Sequence, residues 1–263
     1  MAFQKEYDSG SRRFCLLITI SCSGTKKFRT WAEEKDAKNS KYVDREVIVN
    51  GKMTIEFKFP VSPNKLFIGI VNVADPKDAA FEVTVLEAPL KTYNIYMEDK
   101  TKRFVNMASH FSVICGQEAA GGTKPRVFRN GIDDFSIQYF NTILTKEGQA
   151  MNTPARIGHE SGIIQIAKSK FDAYTIPMRI IILLHEYSHK YKNPKIGLKI
   201  SNEFGADINA LYIYLGLGFS KVDAITVFAK VFLRAQTDGN MARMDKIYEY
   251  IKRFESQEFA QLN

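Results

Sequence analysis

The sequence predicts an α+β protein in two parts: an N-terminal antiparallel β-sandwich, then a mixed α+β domain with a mostly helical C-terminal part. Three observations predict it. Apolar and polar residues alternate in short runs between residues 14 and 85. After Pro89 the pattern turns to a mixture of helical and strand-like runs. From Pro177 onward apolar residues recur at helical spacing.

The strands can be taken in order. Phe14 to Ile20 is apolar and comes after Ser11-Arg12-Arg13, which superficially resembles an export signal. Its apolar run is short and broken by Thr19 and Ser21, so a retained strand is expected. Residues 24–44 are polar and charged and predict a long loop or an irregular edge. Arg45 to Val49 and Lys52 to Phe59 flank Asn50-Gly51, the dipeptide a type I′ hairpin turn favours because both residues tolerate positive φ. In the second of these runs Met53, Ile55, Phe57 and Phe59 fall on one face. Leu66 to Val73 is a more continuous apolar run after Pro60, Ser62 and Pro63, which predicts a strand buried on both faces. Phe81, Val83 and Val85 alternate with polar neighbours. Five short strands at this spacing predict a sandwich.

Pro89 and the polar stretch Glu98 to Arg103 mark a boundary, giving domains at 1–97 and 98–263. Lys102 to Cys115 predicts a helix, Gly116 to Pro125 a loop, and Phe135 to Leu144 and Gly162 to Ala167 strands. Near the C-terminus two apolar stripes predict core-facing helices: Val222, Ile225, Ala229 and Phe232, then Met241, Met244, Ile247, Ile251 and Phe254.

Composition narrows the function classes. The chain of 263 residues carries a net charge of +8, but its 37 basic residues are scattered, so a nucleic-acid stripe is not predicted. Cys15, Cys22 and Cys115 are too few for a disulfide framework and share no metal-ligand spacing. The apolar run Ile180 to Leu184 falls far short of the roughly 20 residues a membrane span needs. A soluble protein is expected, intracellular or particle-associated.

His185-Glu186-Tyr187-Ser188-His189 is an H-E-x-x-H motif. On a helix, positions i and i+4 stack on one face, so both imidazoles can reach one metal ion beside which Glu186 acts as base. Thr175 as N-cap, Pro177 just inside the start, and a buried face of Met178, Ile181, Ile182 and Leu184 support that helix. Zinc wants a third protein ligand, and Glu203 lies 14 positions beyond His189. With Ser201 as N-cap, Glu203 falls in the first turn of a second helix, and Asp207 one turn later can accept a hydrogen bond from a ligand histidine.

H-E-x-x-H succeeded by E-x-x-A-D at Glu203, Ala206 and Asp207 resembles the gluzincin-type zinc metallopeptidases, their minimal forms in particular. The continuation through Gly216, Gly218-Phe219-Ser220 and the helix from Val222 is similar to that family's stretch after the third ligand. The resemblance implies a zincin-like domain, Zn(2+) as cofactor, a peptide or protein as substrate, and an antiparallel edge strand above the active helix at Gly162 to Ala167. It departs from the family where a His-Pro pair is expected: Asp238 to Arg243 keeps only the arginine. Arg243, Tyr212 and His159 are therefore the candidates for stabilising the oxyanion. Two further readings stay open from sequence. The N-terminal β domain can dock protein partners in a larger assembly such as a phage virion, with the zinc site structural. It can also be a carbohydrate- or protein-binding module, for which Trp31 would be the recognition residue or simply packed over the sheet edge.

Overall fold

A computed structural model describes residues 2–132, 135–191, 193–194, 203–233 and 237–256. The protein is α+β, and the chain divides into two compact units, Met1–Lys91 and Thr92–Asn263. Residues 92–97, placed with the first domain by the sequence boundary, pack in the second. The Tyr93 N–H donates to the Gly216 carbonyl (3.0 Å), and the Tyr96 N–H donates to the Tyr212 hydroxyl (2.8 Å).

The first unit has five strands: β1 (Phe3–Asp8), β2 (Phe14–Glu33), β3 (Lys41–Phe59), β4 (Lys65–Asn72) and β5 (Phe81–Ala88). All pairings are antiparallel and join one sheet, rather than the two packed sheets expected. β2 pairs with β3 along nearly its whole length. On its other side, Cys15 to Cys22 pair with β5 and Phe28 to Glu33 pair with β4. The two halves of one long strand thus serve different neighbours.

Between those halves the sheet bends. Ser21 pairs with Lys52 and Thr25 with Asn50, so three residues of β2 face one of β3. Gly24 (φ +67°) and Gly51 (φ +72°) supply the left-handed backbone this needs. Asn50-Gly51 is therefore a bulge within β3 and not a hairpin turn. The expected loop at 24–44 is largely strand. Phe28, Thr30 and Ala32 are buried while Lys27 and Arg29 are exposed, an alternation disguised because two of the inward residues are small or polar.

Leu66, Ile68 and Ile70 face the core of this unit, together with Leu16, Ile18, Ile20, Phe57 and Phe59. Phe67 and Val71 are only half-buried, so β4 has one buried face and not two. On the outer side Trp31 lies across Gly69, its partner on β4, with the Arg29 guanidinium 5.6 Å from its ring. A Cβ on Gly69 would lie 2.0 Å from Trp31 Cζ2.

The second unit places α1 (Asp99–Ile114), then β6 (Arg126–Arg129), β7 (Ser136–Phe140), β8 (Ala155–Ile157) and β9 (Ile163–Ala167). After α2 (Lys168–Phe171) come α3 (Ile176–Ser188), α4 (Glu203–Gly216), α5 (Lys221–Val227) with a π-helical turn at Phe228–Phe232, and α6 (Asp238–Glu255). The sheet runs β6-β7-β9-β8, antiparallel except for the parallel pair β7–β9. The strand expected at the edge, Gly162 to Ala167, is thus inside the sheet, and β8 is the edge. Three residues are too short a run for periodicity to find. β7 stops at Phe140, four residues short of the expected end, where the Asn141 N–H turns to the Gly121 carbonyl.

α3 is buried along its whole length and packs on α1, α4, α5, β8 and β9. Thr175 is its N-cap by position, with Pro177 in the first turn, but the threonine side chain makes no capping bond. The Arg179 guanidinium is buried as well, bonded to the carbonyls of Phe171, Asp172 and Ser112. Ser201, the expected N-cap of α4, lies outside the described residues. The stripe expected on α5 faces the wrong way: Val222 and Ala229 are exposed, whereas Ala224, Val227 and Phe228 are buried. Ser220 sets that register by accepting the Val222 N–H, and the π turn rotates the residues from Phe228 onward out of it. In α6 the stripe is buried at Ile247, Ile251 and Phe254 but exposed at Met241. Among the described residues, no helix is long and apolar enough to cross a membrane.

Gly69→Ala is expected to destabilise the first unit by about 1–3 kcal/mol, because the methyl group must displace the Trp31 ring or the backbone. A chemical denaturation midpoint equal to that of the unsubstituted protein would refute the close packing.

Candidate metal centre

α3 puts His185 in its last turn and His189 at its C-cap, one turn apart on the same face. Their Nε2 atoms point at each other, 3.1 Å apart. Glu203, the first residue of α4, completes a triangle: Oε2 is 3.4 Å from His185 Nε2 and Oε1 is 3.6 Å from His189 Nε2. Metal–ligand bonds of 2.0–2.1 Å at tetrahedral angles set ligand atoms about 3.3 Å apart. The three donors therefore stand where one ion would draw them, and their convergence marks a group that could hold a metal.

The residues around the donors fix this arrangement. Ser188 donates its hydroxyl hydrogen to the Leu184 carbonyl (2.6 Å) and accepts from Asn209 Nδ2 (2.9 Å), pinning α4 to α3 beside the motif. Tyr187 points the opposite way, stacked on Phe104 (4.1 Å between ring centres) with its hydroxyl 2.9 Å from Thr101 Oγ1. Asp207, fully buried one turn after Glu203, lies 2.9 Å from His185 Nδ1. The contact is close but off the line of an ideal hydrogen bond. Phe232, expected to be a core residue, stacks on the His185 ring at 4.0 Å.

Arg243 departs most from expectation. Its Nε and Nη2 grip both oxygens of Asp207, the second at 2.8 Å, and Nη2 also reaches Glu203 Oε2 at 3.3 Å. It braces the carboxylates and is not free for an oxyanion. Tyr212 is also withdrawn: its hydroxyl accepts the Tyr96 N–H and its ring packs against Phe254. Of the three oxyanion candidates only His159 lines the cleft, with its ring centre 5.4 Å from that of His189.

Glu186, His185, His189 and Glu203 share the wall of a cleft of about 410 Å³. Burial pushes the Glu186 carboxyl up to about 7, against the pull of the adjacent His185 and of the Ile157 N–H that bonds it. Burial opposes charge on His185 too, but the bonds to Asp207 and Glu203 outweigh it and raise the imidazole to about 9. Burial and the neighbouring His185 depress His189 to about 4.

The two upward shifts, on Glu186 and His185, accord with a charge count of the buried cluster. Glu186, Glu203 and Asp207 carry three negative charges when ionised, and Arg243 returns one positive charge. A divalent cation bound there would supply the remaining two. Counting side chains alone, a proton on His185 and one on Glu186 restore the same balance. Two imidazole nitrogens and one carboxylate oxygen suit zinc and other first-row divalent ions. Sequence reasoning missed Arg156, Ile157 and Phe232 in the cleft wall, which come from the short edge strand and the π turn.

Zinc at 100 times its dissociation constant is expected to stabilise the protein by about 2.7 kcal/mol, read as a higher melting temperature that a chelator reverses. His185→Ala should abolish the shift. Asp207→Asn should weaken zinc binding about 10- to 100-fold in competition with a chelating dye. Unchanged affinity in both variants would dismiss the centre.

Comparison with protein-family models, with curated proteins and with solved structures finds no match for this chain, so what the site can do is read from its own residues.

Proposed function

We propose that the second unit is a zinc-dependent peptidase of gluzincin type, with His185, His189 and Glu203 as ligands and Glu186 as general base. One observation carries this reading: a buried carboxylate stands beside three convergent metal donors, in the wall of a cleft large enough for part of a peptide. Glu203 supports an accessible centre, since its side chain is 59% exposed while that of His185 is 2% exposed. A catalytic site needs such a side for water and substrate, whereas a purely structural one is closed.

Bound zinc supplies Lewis acidity toward water and toward the scissile carbonyl. Glu186 takes the proton of the attacking water on its carboxylate and hands it to the leaving amine. Ile157 holds that carboxylate through its backbone N–H, and Asp207 keeps the His185 proton on Nδ1 so that Nε2 presents a lone pair. β8 is paired on one side only among the described strands and runs beside α3, which suits it to bind an extended peptide. Of the three candidates from sequence, His159 is the one placed to stabilise the oxyanion.

Glu186→Gln is expected to keep its zinc, measured by elemental analysis, and to lower kcat/KM on a peptide library at least about 100-fold. Zinc uptake with no cleavage of any peptide by the unsubstituted protein would sink the peptidase reading. That result would leave a structural centre, as in a component of a larger assembly.

A further inference from the structure

Arg156 sits in the middle of β8, the edge strand, and forms part of the walls of three cavities. One is the metal cleft; the others are about 570 and 200 Å³. The larger shares both Arg156 and Ile157 with the metal cleft and adds Lys146. Among the described residues, neither of the two other cavities has an Asp or Glu in its wall. The cleft thus passes from a carboxylate-rich centre to a region lined by two cations.

The guanidinium is held in place, yet its charge is not answered. Register places Gln138 of β7 beside Gln165 of β9, and Gln165 beside Arg156. These side chains form a row across three strands: Gln165 Nε2 donates to Gln138 Oε1 (3.2 Å), and Arg156 Nε donates to Gln165 Oε1 (2.6 Å). The row orients the planar fork. Its outer nitrogens meet poor partners: Nη1 faces the Met151 sulfur at 2.8 Å, and Nη2 reaches the Leu144 carbonyl only at 3.4 Å. A thioether is a weak acceptor and a 3.4 Å bond is long, so most of the donor capacity of both terminal nitrogens is unspent. Among the described residues Arg156 has no carboxylate partner.

A pre-oriented, part-buried guanidinium without a counter-charge matches a carboxylate, which it can take with two parallel hydrogen bonds. We propose that Arg156 is a specificity-determining residue that binds a carboxylate of the peptide substrate in the cavity beside the metal cleft. This rests on the peptidase reading of the cleft. The carboxylate can come from an Asp or Glu side chain or from the peptide's own C-terminus, and the same fork serves both.

The test is binding rather than turnover, so it separates this proposal from the peptidase reading. Zinc-loaded full-length Glu186→Gln protein is titrated into dye-labelled eight-residue peptide pools with blocked termini. A fixed Glu or Gln is walked through each position, and the Gln pools are repeated with a free C-terminal carboxylate. A charge-assisted pair predicts about 10- to 100-fold tighter binding of one carboxylate-bearing pool than of its matched neutral pool. Preference for an internal Glu identifies the side-chain source, and preference for the free terminus identifies the other. Adding Arg156→Gln should erase the ratio, and Arg156→Lys should keep part of it, with melting curves confirming that each variant is folded. A carboxylate preference that survives Arg156→Gln overturns the proposal, and so does the lack of preference in every pool, absence of binding included. Preference without any cleavage by the unsubstituted protein would uphold Arg156 as a carboxylate site while the peptidase reading fell.

Discussion

Asp207 is the constraint on which the rest of the site depends. It sits on α4, touches His185 on α3 and is gripped by Arg243 from α6, so one buried carboxylate ties three helices to one imidazole. Burying a carboxylate without partners would cost several kcal/mol, and the guanidinium fork and the imidazole together offset that cost. An apolar trio of similar volume would pack as well or better, because desolvating an ion pair consumes much of its attraction. What the network provides is geometry: Asp207 held 2.9 Å from His185 Nδ1, and Arg243 reaching from Asp207 to Glu203.

The two variable positions of H-E-x-x-H carry the same burden from the other side. Tyr187 locks α3 against α1 by stacking on Phe104 and contacting Thr101, while Ser188 receives Asn209 from α4. The last turn of α3 therefore points its histidines toward Glu203 and these two residues into the packing that holds them. A helix buried all round suits this use, because there is little room for it to rotate. The Arg179 charge within the same helix is answered by carbonyls and stays apart from the centre's own charge balance.

The convergence of His185, His189 and Glu203 follows from local spacing that the sequence displays: a four-residue step on α3 and the start of the next helix. α1 and β5 were legible for the same reason, since each shows its own period. What could not be read depends on partners distant in the chain. The strand character of residues 24–33 comes from pairing with β3 and β4, and its inward residues include Thr30 and Ala32, which carry little hydropathy signal. Asn50-Gly51 has the composition of a hairpin turn, yet β2 continues past it on the opposite side and makes it a bulge. β8 is an edge only because β9 lies between it and β7, a fact of topology that three residues cannot announce.

Arg243 and Arg156 differ in what the fold brings to each guanidinium. Arg243 was one of three oxyanion candidates in the sequence, beside Tyr212 and His159. The fold gives Arg243 two carboxylates, so its charge is spent inside the protein. Arg156, one of 37 basic residues with no motif to mark it, receives a glutamine, a thioether and a distant carbonyl. Neutral partners orient a guanidinium without cancelling its charge. The same type of side chain is thus met by carboxylates in one place and by neutral groups in the other. The difference lies in whether a neighbouring element brings a carboxylate, which no local motif records.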